Sequence, residues 1–355
     1  MSLPVTPIPP LDRKAMESAA RRWDILTKPQ GSLGRLEALA VRIAGMTAQA
    51  VPEAGRKVVF TVAADHGVAA EGVSAYPQSV TAQMVLNFLR GGAGINVLAR
   101  HAGAEVIVVD AGVAGEPITA PGLITRRVRA GTANLAREPA MSREEAEQSV
   151  KTGMQVFREA QWKKRIGLIG LGDMGIGNTT ASSAITALLT DKPVESVTGR
   201  GTGLDDDHLS RKTALIERAI RLHHPDPEDG IDVLSKVGGL EIGMLAGIAL
   251  AAAETRVPVV LDGFITTAAA LVAWKLNPAV KDYFIASHRS VEPGHRAALH
   301  ALELEPLLDL SLRLGEGTGA ALAFGLIEAS LKLLGEMATF GEAGVDEKEQ
   351  KEPVR

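Results

Sequence analysis

Five short runs of apolar, mostly β-branched residues are spaced along the chain, and each ends in a polar or glycine-containing cluster. The runs cover 58–64, 106–109, 166–170, 257–261 and 283–286. Their apolar residues are continuous rather than alternating with polar ones, which is typical of strands buried on both faces. Long segments with helical patterning separate the runs. The pattern therefore predicts repeated βα units, that is, an α/β fold with a parallel, Rossmann-like sheet flanked by helices.

Helix signals between and after these runs agree with this prediction. A capping box at 142–145 opens a helix that we expect to reach about Arg158. Three aspartates at 205–207 precede a helical stretch expected over 208–223. The segment 319–337 is mostly small and apolar, which predicts a buried C-terminal helix.

The two ends of the chain are helical in pattern, and we expect them to form a smaller helical lobe beside the sheet. The expected division assigns 1–55 to the N-terminal part of this lobe, 56–300 to a large α/β domain, 301–340 to the C-terminal helical segment that completes the lobe, and 341–355 to a flexible tail. The tail is expected because its residues are charged and its only large apolar side chains are two valines.

Composition narrows the class of protein. The 355 residues include 38 Lys and Arg against 42 Asp and Glu, whereas nucleic-acid binders usually show a basic excess. There is no Cys, which excludes disulfides, Cys-ligated zinc, iron–sulfur clusters and thiol nucleophiles. Residues 1–10 contain no apolar run typical of a signal peptide, and the most apolar stretch, 242–253, is too short to cross a bilayer. We therefore expect a cytoplasmic protein with neither nucleic-acid nor membrane partners.

The segment 173–180 follows a predicted strand and opens a helix. Its glycines, Gly175 and Gly177, allow a ligand to approach the backbone closely, and amide groups at the helix start near Asn178 suit a phosphate. The segment lacks the Lys of a Walker A loop and the GxGxxG spacing, so a nucleoside triphosphate or a dinucleotide is disfavoured. From the spacing alone, a plain turn between strand and helix remains an equal alternative.

Two further loops offer groups for a pocket. Glu316 lies between Gly315 and Gly317 with apolar flanks, and partial desolvation there would raise its pKa toward the range of a general base. The alternatives are an exposed turn residue and a cap on the following helix. The loop 72–79 combines hydroxyls, an amide and Tyr76, so it could line a pocket for a planar heterocycle or could close onto the protein body.

A third cluster, 287–295, has hydroxyls, a cation and two histidines at the end of a predicted strand. Phosphate binding by Arg289, Ser290 and nearby amides is the more economical interpretation. A metal site is disfavoured because these histidines and the pair at 65–66 lack tight ligand spacing. Lys212 is a further candidate phosphate ligand, and its alternative is a solvated helix lysine.

Eight segments match, in order, those of one enzyme family. They are KPQGSLGRLE from Lys28, ADHGVAAEGVSAYPQSVTAQMV from Ala64, FLRGGAGINVLAR from Phe88, GDMGIGNTT from Gly172, TGRGTG from Thr198, LDGFITTAAALVA from Leu261, SHRSVEPGH from Ser287 and LRLGEGTGAAL from Leu312. The chain thereby resembles the nicotinate-nucleotide–dimethylbenzimidazole phosphoribosyltransferases from Lys28 to about Leu334. The ordered set is far more specific than any single glycine motif.

This resemblance implies a reaction and a site. Nicotinate mononucleotide would donate its phosphoribosyl group to 5,6-dimethylbenzimidazole with inversion at C1′, giving α-ribazole 5′-phosphate and nicotinate for the lower ligand of cobalamin. The general base falls at Glu316, and a second acid falls at Asp173, one methylene shorter than the Glu expected there. The implied benzimidazole ligands are Ser74, Tyr76, Gln83 and Leu314, and those of the nucleotide and its phosphate are Gly175, Gly177, Asn178, Gly201, Lys212 and Ser290. A homodimer is also implied.

The implied chemistry needs few groups. Nicotinate leaves from a pyridinium nitrogen that becomes neutral, so neither a metal nor a cofactor is expected. One carboxylate in an apolar wall is enough to remove the acceptor's N–H proton. The second carboxylate could stabilise the positive charge that develops at C1′. The alternatives are another nucleoside-phosphate transferase or hydrolase that uses Glu316, and a module that binds the nucleotide without turnover. A Rossmann dehydrogenase is disfavoured by the missing GxGxxG.

Overall fold

A parallel six-stranded sheet forms the centre of the fold in the computed structural model, which describes residues 7–201 and 205–346. The strands are β1 (Arg56–Ala64), β2 (Glu105–Gly112), β3 (Leu123–Thr125), β4 (Ile166–Met174), β5 (Val259–Leu261) and β6 (Phe284–Ala286). Their order across the sheet is β3-β2-β1-β4-β5-β6, and every neighbouring pair is parallel. The predicted α/β class with a parallel sheet is confirmed.

Helices precede β1, follow β6 and connect each successive pair of strands except β2 and β3, largely as the alternation predicts. They are α1 (Arg13–Ile25), α2 (Arg35–Thr47), α3 (Val80–Arg90), α4 (Gly94–His101), α5 (Arg143–Lys164), α6 (Asn178–Thr190), α7 (Val194–Val197), α8 (Asp206–His223), α9 (Gly230–Val237), α10 (Leu240–Glu254), α11 (Phe264–Leu276), α12 (Pro293–Ala301), α13 (Thr318–Glu336) and α14 (Phe340–Ala343), with 3-10 turns at Gly67–Glu71 and Pro278–Tyr283. The capping box at the start of α5 is present: the Ser142 hydroxyl accepts the Glu145 N–H at 3.1 Å, and Glu145 accepts the Ser142 N–H at 2.8 Å.

Several elements differ from the sequence prediction, and the physical reasons are clear for β3, β5 and α5. β3 was not predicted, because an edge strand of three residues is too short to show a periodic pattern. β5 begins at Val259 rather than at 257, since Pro258 has no N–H for the strand ladder. α5 ends at Lys164 rather than near Arg158, because its last turns are polar and exposed and so carry no hydrophobic periodicity.

The strand order reverses between β1 and β4, and this reversal marks where a ligand can bind. In open α/β sheets, ligands bind in the crevice outside the carboxyl ends of the strands at such a switch point. Asp65 and His66 follow β1, and Asp173 lies at the end of β4. The clusters that begin at Asp262 and Ser287 follow β5 and β6 at the same edge, because all strands are parallel.

The chain divides into two compact units. The larger contains the sheet and comprises the described parts of Met1–Pro9 and Gly55–Phe324, and the smaller comprises those of Pro10–Ala54 and Gly325–Arg355. In the smaller unit, the Arg22 guanidinium donates to the Leu334 and Gly335 carbonyls at 2.5 and 3.1 Å. The domain boundaries expected at 55, 300 and 340 stay a prediction, and residues 347–355 of the expected tail lie outside the described residues.

Among the described residues, α13 alone is long and apolar enough to cross a membrane by length and composition. Of its most apolar window, 56% is buried inside the protein. A core helix passes the same test, and this burial agrees with the buried helix predicted for 319–337.

Candidate active site

A cavity of about 510 Å³ opens at the carboxyl edge of the sheet, within the larger unit. Its walls come from the segments that follow β4, β5 and β6, from α3 and the loop before it, and from the turn before α13. Eight of the twelve predicted site residues line it: Tyr76, Asp173, Gly175, Asn178, Gly201, Ser290, Leu314 and Glu316. The volume is in the range of sites for small molecules.

The structure places the other four predicted residues outside this lining. Lys212 and Gly177 lie behind it, as described below. Ser74 is half-buried, with its hydroxyl accepting the Tyr76 N–H at 3.2 Å. Gln83 is exposed on α3, where Val80 and Met84, four residues apart on one helix face, line the cavity instead. The ligand roles of these four residues stay predictions.

The backbone of Glu316 is held in an unusual conformation. Its φ is +64°, in the left-handed region, and it lies between Gly315 at +82° and Gly317 at +98°. A non-glycine residue there is strained and persists where its surroundings hold it. Thr61 on β1 supplies one such restraint, because its hydroxyl donates to the Glu316 carbonyl at 2.9 Å.

The side chain of Glu316 is only 6% exposed, which rules out the alternative of an exposed turn residue. Its Oε2 accepts the N–H of Ile95 at 3.1 Å, in the first turn of α4, so it contacts the start of α4 rather than that of the following helix. Burial raises the pKa of Glu316, and the hydrogen bond from Ile95 opposes this. The residue is therefore a carboxylate in a low-dielectric wall, with a raised proton affinity.

Asp262, which sequence patterns did not single out as a site residue, anchors the Glu316 turn. Its carboxylate accepts the N–H groups of Gly317, Gly319 and Ala320 at 3.0, 2.6 and 3.3 Å. Burial raises its pKa to about 7, against the effect of these three donors. An acid directly after a buried strand was the available signal, because that position faces the ligand edge of a parallel sheet.

Asp173 is a second buried acid on the cavity wall. Its Oδ2 accepts the Asn178 side-chain N–H at 2.9 Å. Burial, followed by the negative charges of Asp262 and Glu241, holds the pKa of Asp173 well above its usual range. A Cβ placed on Gly315 would lie 3.4 Å from Asp173, so this acid adjoins the Glu316 turn. A carboxyl with a raised pKa keeps its proton to a higher pH than an exposed aspartate does, and the protonated form can donate a hydrogen bond.

Lys212 is buried behind the predicted phosphate-binding residues, 1% exposed, so it is not a solvated helix lysine. Its Nζ donates to the Thr179 hydroxyl at 2.9 Å and to the Gly199 carbonyl at 3.2 Å. Burial lowers its pKa to about 8, and the nearby charge of Glu292 opposes this. Glu292 accepts the Gly201 N–H at 3.0 Å. It lies in the cluster 287–295 but was not among the predicted site residues. Residues 202 and 203 of the TGRGTG segment lie outside the described residues.

Several further lining residues are not among the twelve predicted for the site. They include Val80, Met84, Phe264, Ile265, His288 and Arg313. Within 7–201 and 205–346, no three His, Asp or Glu side chains are grouped as metal ligands. The cavity therefore combines apolar walls with three acids, Asp173, Glu292 and Glu316, and the buried Lys212 lies behind this lining.

We expect Gly172→Ala to lower kcat by up to about 100-fold, because a misplacement of about 1 Å has effects of this size. Gly172 lies on β4 directly under the turn, and a Cβ there would overlap the Glu316 carbonyl oxygen. The turn would have to move away from the cavity. Gly325→Ala is the matched control, since a Cβ there meets nothing within 4 Å. Steady-state kinetics of both variants test the expectation, and an unchanged kcat in Gly172→Ala would contradict it.

The fold and the site together define a class of enzyme. The parallel sheet has a ligand cavity at its switch-point edge, with three buried acids on the cavity wall and a buried lysine behind it. This arrangement suits transfer of a phosphorylated group. The family model described as Phosphoribosyltransferase matches residues 8–345. The chain is thus a phosphoribosyltransferase, a pentosyl-transferring enzyme.

Its relatives narrow this class. A nicotinate-nucleotide–dimethylbenzimidazole phosphoribosyltransferase of Roseiflexus sp. is 59% identical over 348 residues, 98% of each chain, and that of Chloroflexus aggregans is 59% identical over 97% of each chain. The crystal structure of the enzyme with that name from Thermus thermophilus superposes with a TM-score of 0.90 at 50% identity, covering 95% of this chain and all of the other. The chain belongs to the nicotinate-nucleotide–dimethylbenzimidazole phosphoribosyltransferase family, which confirms the resemblance.

Proposed function

We propose that the protein transfers the phosphoribosyl group of nicotinate mononucleotide to 5,6-dimethylbenzimidazole with inversion at C1′, and that Glu316 is the general base. The products are α-ribazole 5′-phosphate, for the lower ligand of cobalamin, and nicotinate. The names of the relatives support the substrates. The observation that carries the role of Glu316 is its carboxylate, buried on the cavity wall with a raised pKa and one hydrogen bond, from the Ile95 N–H.

In the proposed step, one imidazole nitrogen of the acceptor attacks C1′ opposite to the leaving nicotinate. The bond from C1′ to the pyridinium nitrogen breaks, and its electron pair neutralises that nitrogen. The proton on the other imidazole nitrogen passes to Glu316. General-base assistance of this kind contributes about 10²- to 10⁴-fold. The remaining acceleration comes from orientation of the two substrates.

The acceptor ring has an apolar surface at the mouth of the cavity. Tyr76 and Leu314 line the cavity, and both are more than half exposed. Large exposed side chains beside a concave site suit contact with the faces of a flat heterocycle. A ring bound there would lie next to Glu316, since Leu314 is two residues before it.

Asp173 takes a hydrogen-bonding role in this proposal. An electrostatic role at C1′ requires a carboxylate, whereas burial and the charges of Asp262 and Glu241 raise the pKa of Asp173 well above its usual range and so favour its protonated form. The charge-stabilising role stays a prediction, and the raised pKa supports the hydrogen-bonding role. A neutral carboxyl instead offers an O–H donor to the substrates.

The pH dependence of nucleotide binding follows from Lys212. Its pKa is lowered to about 8, so the free enzyme loses the ammonium charge as the pH rises through that value. Because a phosphate binds the charged form, kcat/KM for nicotinate mononucleotide should fall on the alkaline side of about pH 8. The acceptor carries no phosphate, so its KM should rise less. A flat kcat/KM for the nucleotide across this range would argue against a phosphate contact.

The proposed reaction is tested by incubating the EDTA-treated protein with nicotinate mononucleotide and 5,6-dimethylbenzimidazole, followed by chromatography with mass detection. We expect α-ribazole phosphate and nicotinate in equal amounts. Nicotinate without the conjugate would show that the acceptor is wrong. Binding of the nucleotide without turnover would refute the enzyme proposal and favour a sensing module.

The assembly and the location of the protein are also proposals. The family resemblance implies a homodimer. Sedimentation equilibrium should therefore give twice the mass of one chain, which is 37.2 kDa. A monomer at working concentration would contradict it. The cytoplasmic location stays a prediction that cell fractionation can test.

A further inference from the structure

A buried ion pair lies directly behind the predicted phosphate-binding turn, and the mechanism above does not use it. His66, after β1, contacts Glu241 in the first turn of α10, with Nε2 and Oε1 2.6 Å apart. Both side chains are fully buried. In the part of the chain that the structure describes, His66 Nδ1 and Glu241 Oε2 have no hydrogen-bond partner. Two incompletely paired ionisable groups in a core are costly, which calls for a role beyond packing.

The pair is in contact with the turn at Gly175–Gly177. A Cβ on Gly175 would lie 3.4 Å from the His66 ring and 3.5 Å from Glu241 Oε1, and one on Gly177 would lie 3.3 Å from His66 Cβ. On the other side of the ring, a Cβ on Gly239 would overlap His66 Cε1. The imidazole is therefore enclosed between two glycine segments, and only a side chain of similar shape and polarity would fill this space.

The pair also affects the acid at the start of this turn. Glu241 is among the charges that act on Asp173, together with Asp262 and Glu316. Burial opposes a charge on His66, but the charge and hydrogen bond of Glu241, with the charge of Asp65, raise its pKa overall. The pair is thus a hydrogen-bonded imidazole and carboxyl group behind the turn, in which Glu241 favours the protonated form of His66.

We propose that His66 and Glu241 are positioning residues of the active site: they brace the Gly175–Gly177 turn from behind and fix Asp173 relative to the bound nucleotide. This inference rests on the proposed function, since it concerns the geometry of the same site. His66 and Glu241 contact neither substrate and act through the turn. Of the twelve residues predicted for the site, Gly175, Gly177 and Asp173 are those that depend on the pair.

The first test compares His66→Leu with His66→Gln by steady-state kinetics. Leucine removes the contact with Glu241, whereas the glutamine amide can donate to it at similar reach. We expect His66→Leu to lose up to about 100-fold in kcat/KM for nicotinate mononucleotide, the effect of a misplaced turn. His66→Gln should recover most of this loss. Equal activity in the folded leucine variant and the unsubstituted protein would overturn the proposal.

The second test uses a readout that packing alone does not move. If protonated Asp173 donates a hydrogen bond to the substrates, kcat should decline at high pH as Asp173 loses its proton; this decline is the alkaline limb of kcat. Glu241→Gln removes a negative charge that raises the pKa of Asp173, so the alkaline limb should shift to lower pH. Asp110→Asn is the matched control: Asp110 is equally buried near the end of β2, but its Oδ1 accepts the Gly112 and Val113 N–H groups, and it does not line the cavity. The alkaline limb of kcat in Asp110→Asn should stay at the same pH as in the unsubstituted protein.

These outcomes separate the inference from the proposed function. Failure of the unsubstituted protein to form α-ribazole phosphate would refute the proposed function. An active unsubstituted protein whose Glu241→Gln variant keeps both its KM and its alkaline limb would refute the inference alone. If the circular dichroism spectrum shows that His66→Leu does not fold, the position of the alkaline limb of kcat in Glu241→Gln decides whether the inference holds.

Discussion

Glu316→Gln should reduce kcat by about 10²- to 10⁴-fold, the contribution of general-base catalysis, with little change in KM for nicotinate mononucleotide. The amide retains an oxygen that can accept the Ile95 N–H, so the turn keeps its conformation. It cannot accept the acceptor's proton. The difference in kcat between the unsubstituted protein and Glu316→Gln therefore measures proton removal rather than a change in folding.

The pH profile provides a second measurement on the same variant. A general base must be deprotonated, and burial raises the pKa of Glu316. Activity of the unsubstituted protein should therefore fall as the pH drops through this raised value. In Glu316→Gln this acidic limb should disappear, and Asp110→Asn should retain it. A variant with full activity or with an unchanged acidic limb would remove Glu316 from the base role.

Lys212→Met has the second-largest expected effect, a rise of about 10- to 100-fold in KM for the nucleotide. A hydrogen bond to a charged group contributes about 1.5–3 kcal/mol, and about 1.4 kcal/mol corresponds to a tenfold change. Methionine fills much of the same volume but leaves the Thr179 hydroxyl and the Gly199 carbonyl without their donor. The effect should appear in KM for nicotinate mononucleotide and hardly in KM for dimethylbenzimidazole.

Lys57→Met is the matched control for this variant. Lys57 is also a buried lysine, but it lies near the amino end of β1, away from the carboxyl edge where the cavity opens. Its KM for the nucleotide should be unchanged. In Lys212→Met, the fall of kcat/KM on the alkaline side of about pH 8 should also disappear. An equal loss in both variants would show that buried lysines matter here for stability alone.

Sequence patterns identified those elements of the fold that are encoded by residues close together in the chain. The apolar run that ends at Ala64 predicted β1, and the residues from Ser142 to Glu145 predicted the start of α5, because periodicity and capping depend on near neighbours. β3 was missed, since three residues at a sheet edge carry too little pattern. The membership in the family was also recognised, because it rests on ordered motifs that read directly from the chain.

Site prediction succeeded where a motif marked the residue and failed where only the fold did. Glu316 was found because glycines and apolar residues surround it in the chain. Asp262 was missed because its three N–H donors belong to the turn and helix after Glu316, far along the chain. Glu241 gave a weak signal, as the acid at the start of an apolar stretch, but its partner His66 is 175 positions away.

The amino-acid sequence by itself determined the α/β class, most strands and helices, the family, and the candidates for base and phosphate ligand. Only the tertiary structure decided which candidates share a cavity, that the pKa of Asp173 is raised, and that Lys212 is buried beside Glu292. The physical reason is that secondary structure depends on side chains a few positions apart, whereas desolvation and charge interactions depend on neighbours that the chain brings together only when it folds.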